Sequence, residues 1–150
     1  MNDGKTYVQS SAYHNYANPG TYNIKYKVTS NQGCEDSIVN PVLVYPMPDV
    51  KFEINDDDQC INGNSFVFLD KTTISSGTLQ DRLWDLDDGT QASTNNVTHH
   101  YNAYNTYKVK LKITSAVGCI DSLVQNVSVN PMPDASFIVD KSAQCLNGNL

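Results

Sequence analysis

The chain has 150 residues, with 16 acidic and 10 basic side chains and a net charge of −6. Such a balance argues against a nucleic-acid role, which needs a basic face to neutralise phosphates, and no stretch approaches the ~20 apolar residues of a membrane helix. Tyr, Thr, Val, Asn and Ser are abundant while Ala is scarce, the composition of a β protein with many polar turns.

The chain repeats itself without a gap at an offset of 85 residues. Laying 2–65 on 87–150 gives 27 identities in 64 positions. Pro46-Met47-Pro48-Asp49 returns as Pro131-Met132-Pro133-Asp134, and Gln59-Cys60-x-Asn62-Gly63-Asn64 returns as Gln144-Cys145-x-Asn147-Gly148-Asn149. A period this long exceeds that of solenoids and propellers, so each repeat is expected to be a whole small domain. The expected division is 1–46 as the second half of one module, 47–130 as a complete module, and 131–150 as the start of another. Met1 falls inside a repeat and lacks an apolar signal region behind it, so the chain is expected to be a window on a longer protein.

In chain order, Tyr22–Thr29 is the first predicted strand. Gly33-Cys34-x-Asp36-Ser37 then forms a turn that returns as Gly118-Cys119-x-Asp121-Ser122. The linker from Val44 to Asp49 carries two prolines in three residues, which fix φ and favour extended geometry before them. A short, stiff joint with modules touching end to end is expected. Short β candidates follow at Val50–Ile54, Phe66–Leu69, Leu79–Leu86 and Val97–Tyr101, separated by Gly, Asn, Asp and Ser clusters. The clearest strand is Tyr107–Thr114: Tyr107, Val109, Leu111 and Ile113 share one face, and Lys108, Lys110 and Lys112 the other. A last strand covers about 120–129, with Leu123, Val127 and Val129 on one face. Six or seven short strands in 85 residues predict an all-β, antiparallel immunoglobulin-like sandwich, in tandem.

Trp84-Asp85-Leu86-Asp87-Asp88-Gly89-Thr90, His99-x-Tyr101 and Thr106-Tyr107-x-Val109 together resemble the signature of PKD domains, which are immunoglobulin-like sandwiches. The first copy retains Asp3-Gly4, His14-x-Tyr16 and Pro19-Gly20-Thr21-Tyr22. The resemblance covers the whole chain, and its cysteine-bearing turns are similar to those of bacterial surface repeats, including adhesins of gliding bacteria. It implies that Trp84, Asp85, Asp88, Gly89, His99, Tyr101 and Tyr107 are structural, with Trp84 filling the core. Leu86 and Asp87 stand where the family usually has Phe and Gly. If position 87 needs a positive φ, Asp tolerates it better than most residues.

Asp56, Asp57 and Asp58, with Asp87 and Asp88, are candidate Ca²⁺ ligands, since such ions take six to eight oxygens. The next copy has Lys141-Ser142-Ala143 at the first three positions, so any such site is private to this module. His14 and His99 read as packing and hydrogen-bonding residues at a strand edge. Neither a Gly-x-Ser-x-Gly elbow nor a Gly-rich phosphate loop is present, so no catalytic residue and no cofactor are expected. Asn96-Val-Thr98 and Asn126-Val-Ser128 fit the glycosylation sequon. Asp36-Ser37 and Asp121-Ser122 resemble an O-glycosylation motif of gliding bacteria, but turn chemistry explains them as well.

Cys34, Cys60, Cys119 and Cys145 match no zinc spacing and read as disulfide candidates. In such a sandwich the loop of Cys60 and the hairpin of Cys119 lie at opposite poles, too far apart for a bond. The reading taken is a staple between consecutive modules; pairing within a module and free thiols stay open as alternatives. The expected function is that of a non-catalytic spacer or stalk repeat of an extracellular or cell-surface protein. Its expected partners are neighbouring repeats, with extracellular polysaccharide or protein as candidate contacts. The alternative is a polysaccharide- or protein-binding accessory module of a secreted hydrolase.

Overall fold

A computed structural model describes residues 4–9 and 11–140. Cys145 and the second Gln-Cys-x-Asn-Gly-Asn motif lie outside the described residues. The described residues contain ten strands and no helix, and hence no helix long and apolar enough to cross a membrane.

The complete module is built from eight strands. They are β3 (Phe52–Ile54), β4 (Asp58–Cys60), β5 (Phe66–Asp70), β6 (Leu79–Asp85), β7 (Gln91–Ala92), β8 (Asn96–His99), β9 (Asn105–Ser115) and β10 (Ile120–Asn130). One sheet has the order β4-β10-β9-β6-β7 and the other β3-β5-β8. Between them lies the core. Phe52, Phe66, Phe68 and Val97 face it from the small sheet, and Trp84, Tyr107, Val109, Leu111, Ile113, Val127 and Val129 from the large one. The alternation in β9 predicts this placement: its apolar residues are buried and Lys108, Lys110 and Lys112 are exposed. Each large apolar side chain taken fully from water contributes roughly 1.5–3 kcal/mol.

Trp84 is completely buried, with its ring centroid 5.1 Å from that of Phe52 and 5.9 Å from that of Phe68. Its indole N–H donates to the Thr94 carbonyl at 2.9 Å, so burial leaves no unpaired donor. Beside the core, Arg82 Nε pairs with a largely buried Asp70 carboxylate at 2.6 Å.

Two strands, β4 and β7, lie outside the six segments expected, and one pairing departs from an all-antiparallel arrangement. β4 runs parallel to the end of β10, with Asp58, Gln59 and Cys60 opposite Ser128, Val129 and Asn130. Three polar residues carry no alternation, and backbone bonds hold them instead. Ser128 N–H donates to the Asp57 carbonyl at 2.7 Å, and Ile61 N–H to that of Asn130 at 2.8 Å. β7 is only two residues long and pairs with Trp84 and Asp85.

Residues before the module form a separate hairpin, β1 (Gly20–Thr29) and β2 (Glu35–Val44). Its register, Gly20↔Val44 through Thr29↔Glu35, is that of β9 and β10 shifted by 85. The linker between hairpin and module is docked rather than free. Pro46 and Pro48 are buried, Val50 joins the core, and Asp49 pairs with Thr73 through two backbone bonds of 2.8 and 3.1 Å.

Trp84→Ala in the full chain should cost about 3–5 kcal/mol, a large share of the stability of so small a domain. Urea unfolding followed by far-UV circular dichroism checks this. A loss below about 0.5 kcal/mol would remove Trp84 from its role as core anchor.

Candidate functional site

The chemistry-bearing residues gather where β6 ends and turns into β7. Asp85 Oδ1 accepts from Asp87 N–H at 3.2 Å, and Asp88 Oδ1 from Thr90 N–H at 2.9 Å. These are the local bonds by which aspartates shape turns. Leu86 N–H closes the turn on the Thr90 carbonyl at 3.1 Å. Asp87 is left-handed, at φ 64°, and Gly89 follows at φ 90°. The positive φ at position 87 explains the tolerance for Asp there. Unlike Gly, Asp87 also supplies a carboxylate, which accepts Lys108 N–H at 2.9 Å and so ties the turn to β9.

Three rings pack beside this turn. Tyr101 stacks on Tyr107 with centroids 3.8 Å apart, and His99 meets Tyr101 edge-on at 4.6 Å. Tyr101 O–H donates to the Leu86 carbonyl at 2.9 Å, and Tyr107 O–H to that of Ala103 at 2.8 Å. Burial, with Asp88 nearby, pushes the Tyr101 phenol well up from its ordinary value. His99 Nε2 lies 2.7 Å from Asp88 Oδ2. Partial burial alone would raise the Asp88 carboxyl, but the Thr90 and His99 bonds outweigh it and hold it below 3.8. Both Asp88 oxygens thus have partners, Thr90 in the turn and His99 at the end of β8, and the cluster ties the ends of β6, β8 and β9 together. The same rings recur in the first copy: Tyr16 stacks on Tyr22 at 3.8 Å and His14 meets Tyr16 at 4.5 Å.

The structure does not gather the candidate Ca²⁺ ligands. Asp56 Oδ1 caps the Asp58 N–H at 3.2 Å, Asp58 receives the Asn130 side-chain amide, Asp87 accepts Lys108 N–H, and Asp88 accepts Thr90 N–H. Among the described residues no three His, Cys, Asp or Glu side chains converge on a point that could hold a metal.

Asn64 is a site residue that the motif reading passed over. It is buried, and its amide bridges the β4–β5 loop to Tyr101: Nδ2 donates to the Tyr101 carbonyl at 2.9 Å, and Oδ1 accepts Tyr101 N–H at 2.8 Å. Gln59 does similar work on its own loop, accepting Ser65 N–H at 2.7 Å. The signal was their recurrence at Gln144 and Asn149, which marks the positions without giving their partners.

Cys34, Cys60 and Cys119 are free thiols; Cys34 and Cys60 are exposed and Cys119 is half-buried. Cys60 lies beside Asn130 at the end of β10, whereas Cys119 immediately precedes its start. Eleven residues of strand, about 36 Å, separate the two levels, against the ~7 Å that a disulfide allows between Cα atoms. Pairing within a module is therefore closed.

Residues 47–130 match the family model described as PKD domain. The PKD1 domain of Vibrio anguillarum Epp is similar in structure, with a TM-score of 0.51 at 22% identity, over 57% of this chain and 96% of that one. A structure of carbohydrate-binding modules of promiscuous specificity from the β-sandwich superfamily aligns with a TM-score of 0.53 at 26% identity, over 57% of this chain and 35% of that one. The PKD1 domain of the Vibrio cholerae metalloprotease PrtV gives 0.46 at 21% identity, over 58% and 99%. No curated protein matches the chain in sequence.

Two measurements follow from the turn. Asp70 and Asp88 both have carboxyls lowered from 3.8 in the fold, so their stabilisation is complete above that value and is lost as pH falls through the lower folded value. Stability to urea should therefore decline below about pH 4. Asp88→Asn should cost about 1 kcal/mol at pH 7 and flatten that acid limb; an unchanged limb would remove Asp88 from it. Excess chelator should leave the melting temperature in place, and a rise of several degrees in millimolar Ca²⁺ would reveal a native-state site.

Proposed function

We propose a mechanical role for this chain, which belongs to the PKD domain family: it is a stretch of a tandem array that serves as a stiff, non-catalytic spacer outside the cell. The array holds a distal domain away from its point of attachment, and each module's partners are the modules before and after it. The supporting observation is the docked joint. Pro46 and Pro48 are buried, and Tyr45 lines a cleft with Ile74, Thr78, Ser115, Ala116 and Val117. The chain thus arrives beside the β9–β10 hairpin, whereas it leaves at Asn130, the far end of β10. Arrival and departure at opposite poles make each module add its length, about 36 Å of strand, to the array. A joint seated in the module also leaves less hinge freedom than a solvated linker.

The alternative, an accessory module that binds polysaccharide, draws support from the likeness to carbohydrate-binding modules. A flat sugar ring is best held by an exposed aromatic platform. In the complete module Trp84 is buried, and Tyr104 is the exposed aromatic. The outer face of β9 carries three lysines instead. This surface favours the spacer.

Small-angle scattering on arrays of increasing module number tests the proposal. Maximum dimension should grow by roughly 35–45 Å per added module, and replacing Pro46, Pro48 and their repeats by Gly should shorten and broaden the distribution. Compact particles whose length does not scale with module number would overturn it.

A further inference from the structure

We propose that Cys60 forms a disulfide with the counterpart of Cys119 in the following module, locking each joint of the array. The inference rests on the array reading only in requiring that modules follow one another at the 85-residue offset.

Three observations converge on it. First, the parallel pairing of β4 with β10 puts Cys60 directly opposite Asn130, with Ile61 N–H bonded to the Asn130 carbonyl at 2.8 Å. Cys60 therefore stands at the pole from which the chain departs. Second, Tyr45 occupies in the first copy the position that Asn130 occupies in the second, and it borders Ser115, Ala116 and Val117 of the next hairpin. The residue opposite position 60 is thus the one seated against the following module's β9–β10 turn. Third, Cys119 belongs to that same turn. Its N–H donates to Ser115 Oγ at 3.0 Å, and its carbonyl accepts Ser115 N–H at 2.8 Å. The same bonds recur at Cys34 and Ser30, so the turn presents its thiol in the same way in both copies.

Within one module these cysteines are at opposite ends; across a joint they share one. Both are accessible, since Cys60 is exposed and Cys119 half-buried. The bond forms by exchange with a small disulfide oxidant such as oxidised glutathione. One protein thiolate attacks the oxidant and releases one glutathione thiol, and the second displaces the other. Two protein thiols lose two protons and two electrons, and the oxidant becomes two thiols.

Leu150 occupies the position of Ser65, so appending residues 66–130 after Leu150 continues the register and completes a second module on the intact chain. This extended protein, shown to melt cooperatively when reduced, is incubated with oxidised glutathione, alkylated while folded and digested without reduction. The expected product joins the Cys60 peptide to the appended copy of the Cys119 peptide, with Cys60 protected from alkylation. Cys60→Ser should expose the appended thiol again, and Cys119→Ser in the first module should leave the cross-link in place. Free Cys60 after oxidation, or Cys60 bonded to any other cysteine, overturns the proposal. Scattering on the same sample separates the two readings: an extended but unlinked protein keeps the spacer and discards the staple.

Discussion

The burial of Trp84 is the constraint on which the complete module depends. The indole sits opposite Leu111 on β9 and reaches across the interior to Phe52 and Phe68 on the other sheet. A ring of that size holds two sheets in one relative position only if its N–H is satisfied, and the Thr94 carbonyl does this from the segment between β7 and β8. β6 must therefore end soon after Trp84 and return quickly. The Asp85–Thr90 turn, with Asp87 and Gly89 both left-handed, is how the backbone reverses in that space.

The turn in turn positions the rings. Tyr101 O–H reaches back to Leu86, Asp87 reaches forward to the backbone of β9, and Tyr101 and Tyr107 stack between them. The stack recurs at Tyr16 and Tyr22, and the Tyr107 O–H bond to the Ala103 carbonyl returns as Tyr22 O–H to the Asn18 carbonyl. The motif thus keeps its geometry in both copies.

The joint extends the same logic to the next level. Proline supplies a backbone already extended, so seating Pro46 and Pro48 against the module loses little conformational entropy. The short bridge of Asp49 to Thr73 then carries the chain into β3. Contacts with the module hold the linker in place as well as its prolines do.

The sequence by itself determined the repeat, the β class, the inner and outer faces of β9, the place of Trp84 and the tolerance for a left-handed Asp87. Each is written in a short window, where period-2 alternation records burial and turn residues record φ. Tertiary structure alone decided the parallel strand Asp58–Cys60, the bridging role of Asn64, the separate duties of Asp56, Asp58, Asp87 and Asp88, and the seating of the prolines. Those depend on pairings such as Asp58 with Ser128, seventy residues apart, made by backbone groups that every residue carries. A backbone bond leaves no mark on side-chain pattern, so only the folded chain reveals which strands exchange it.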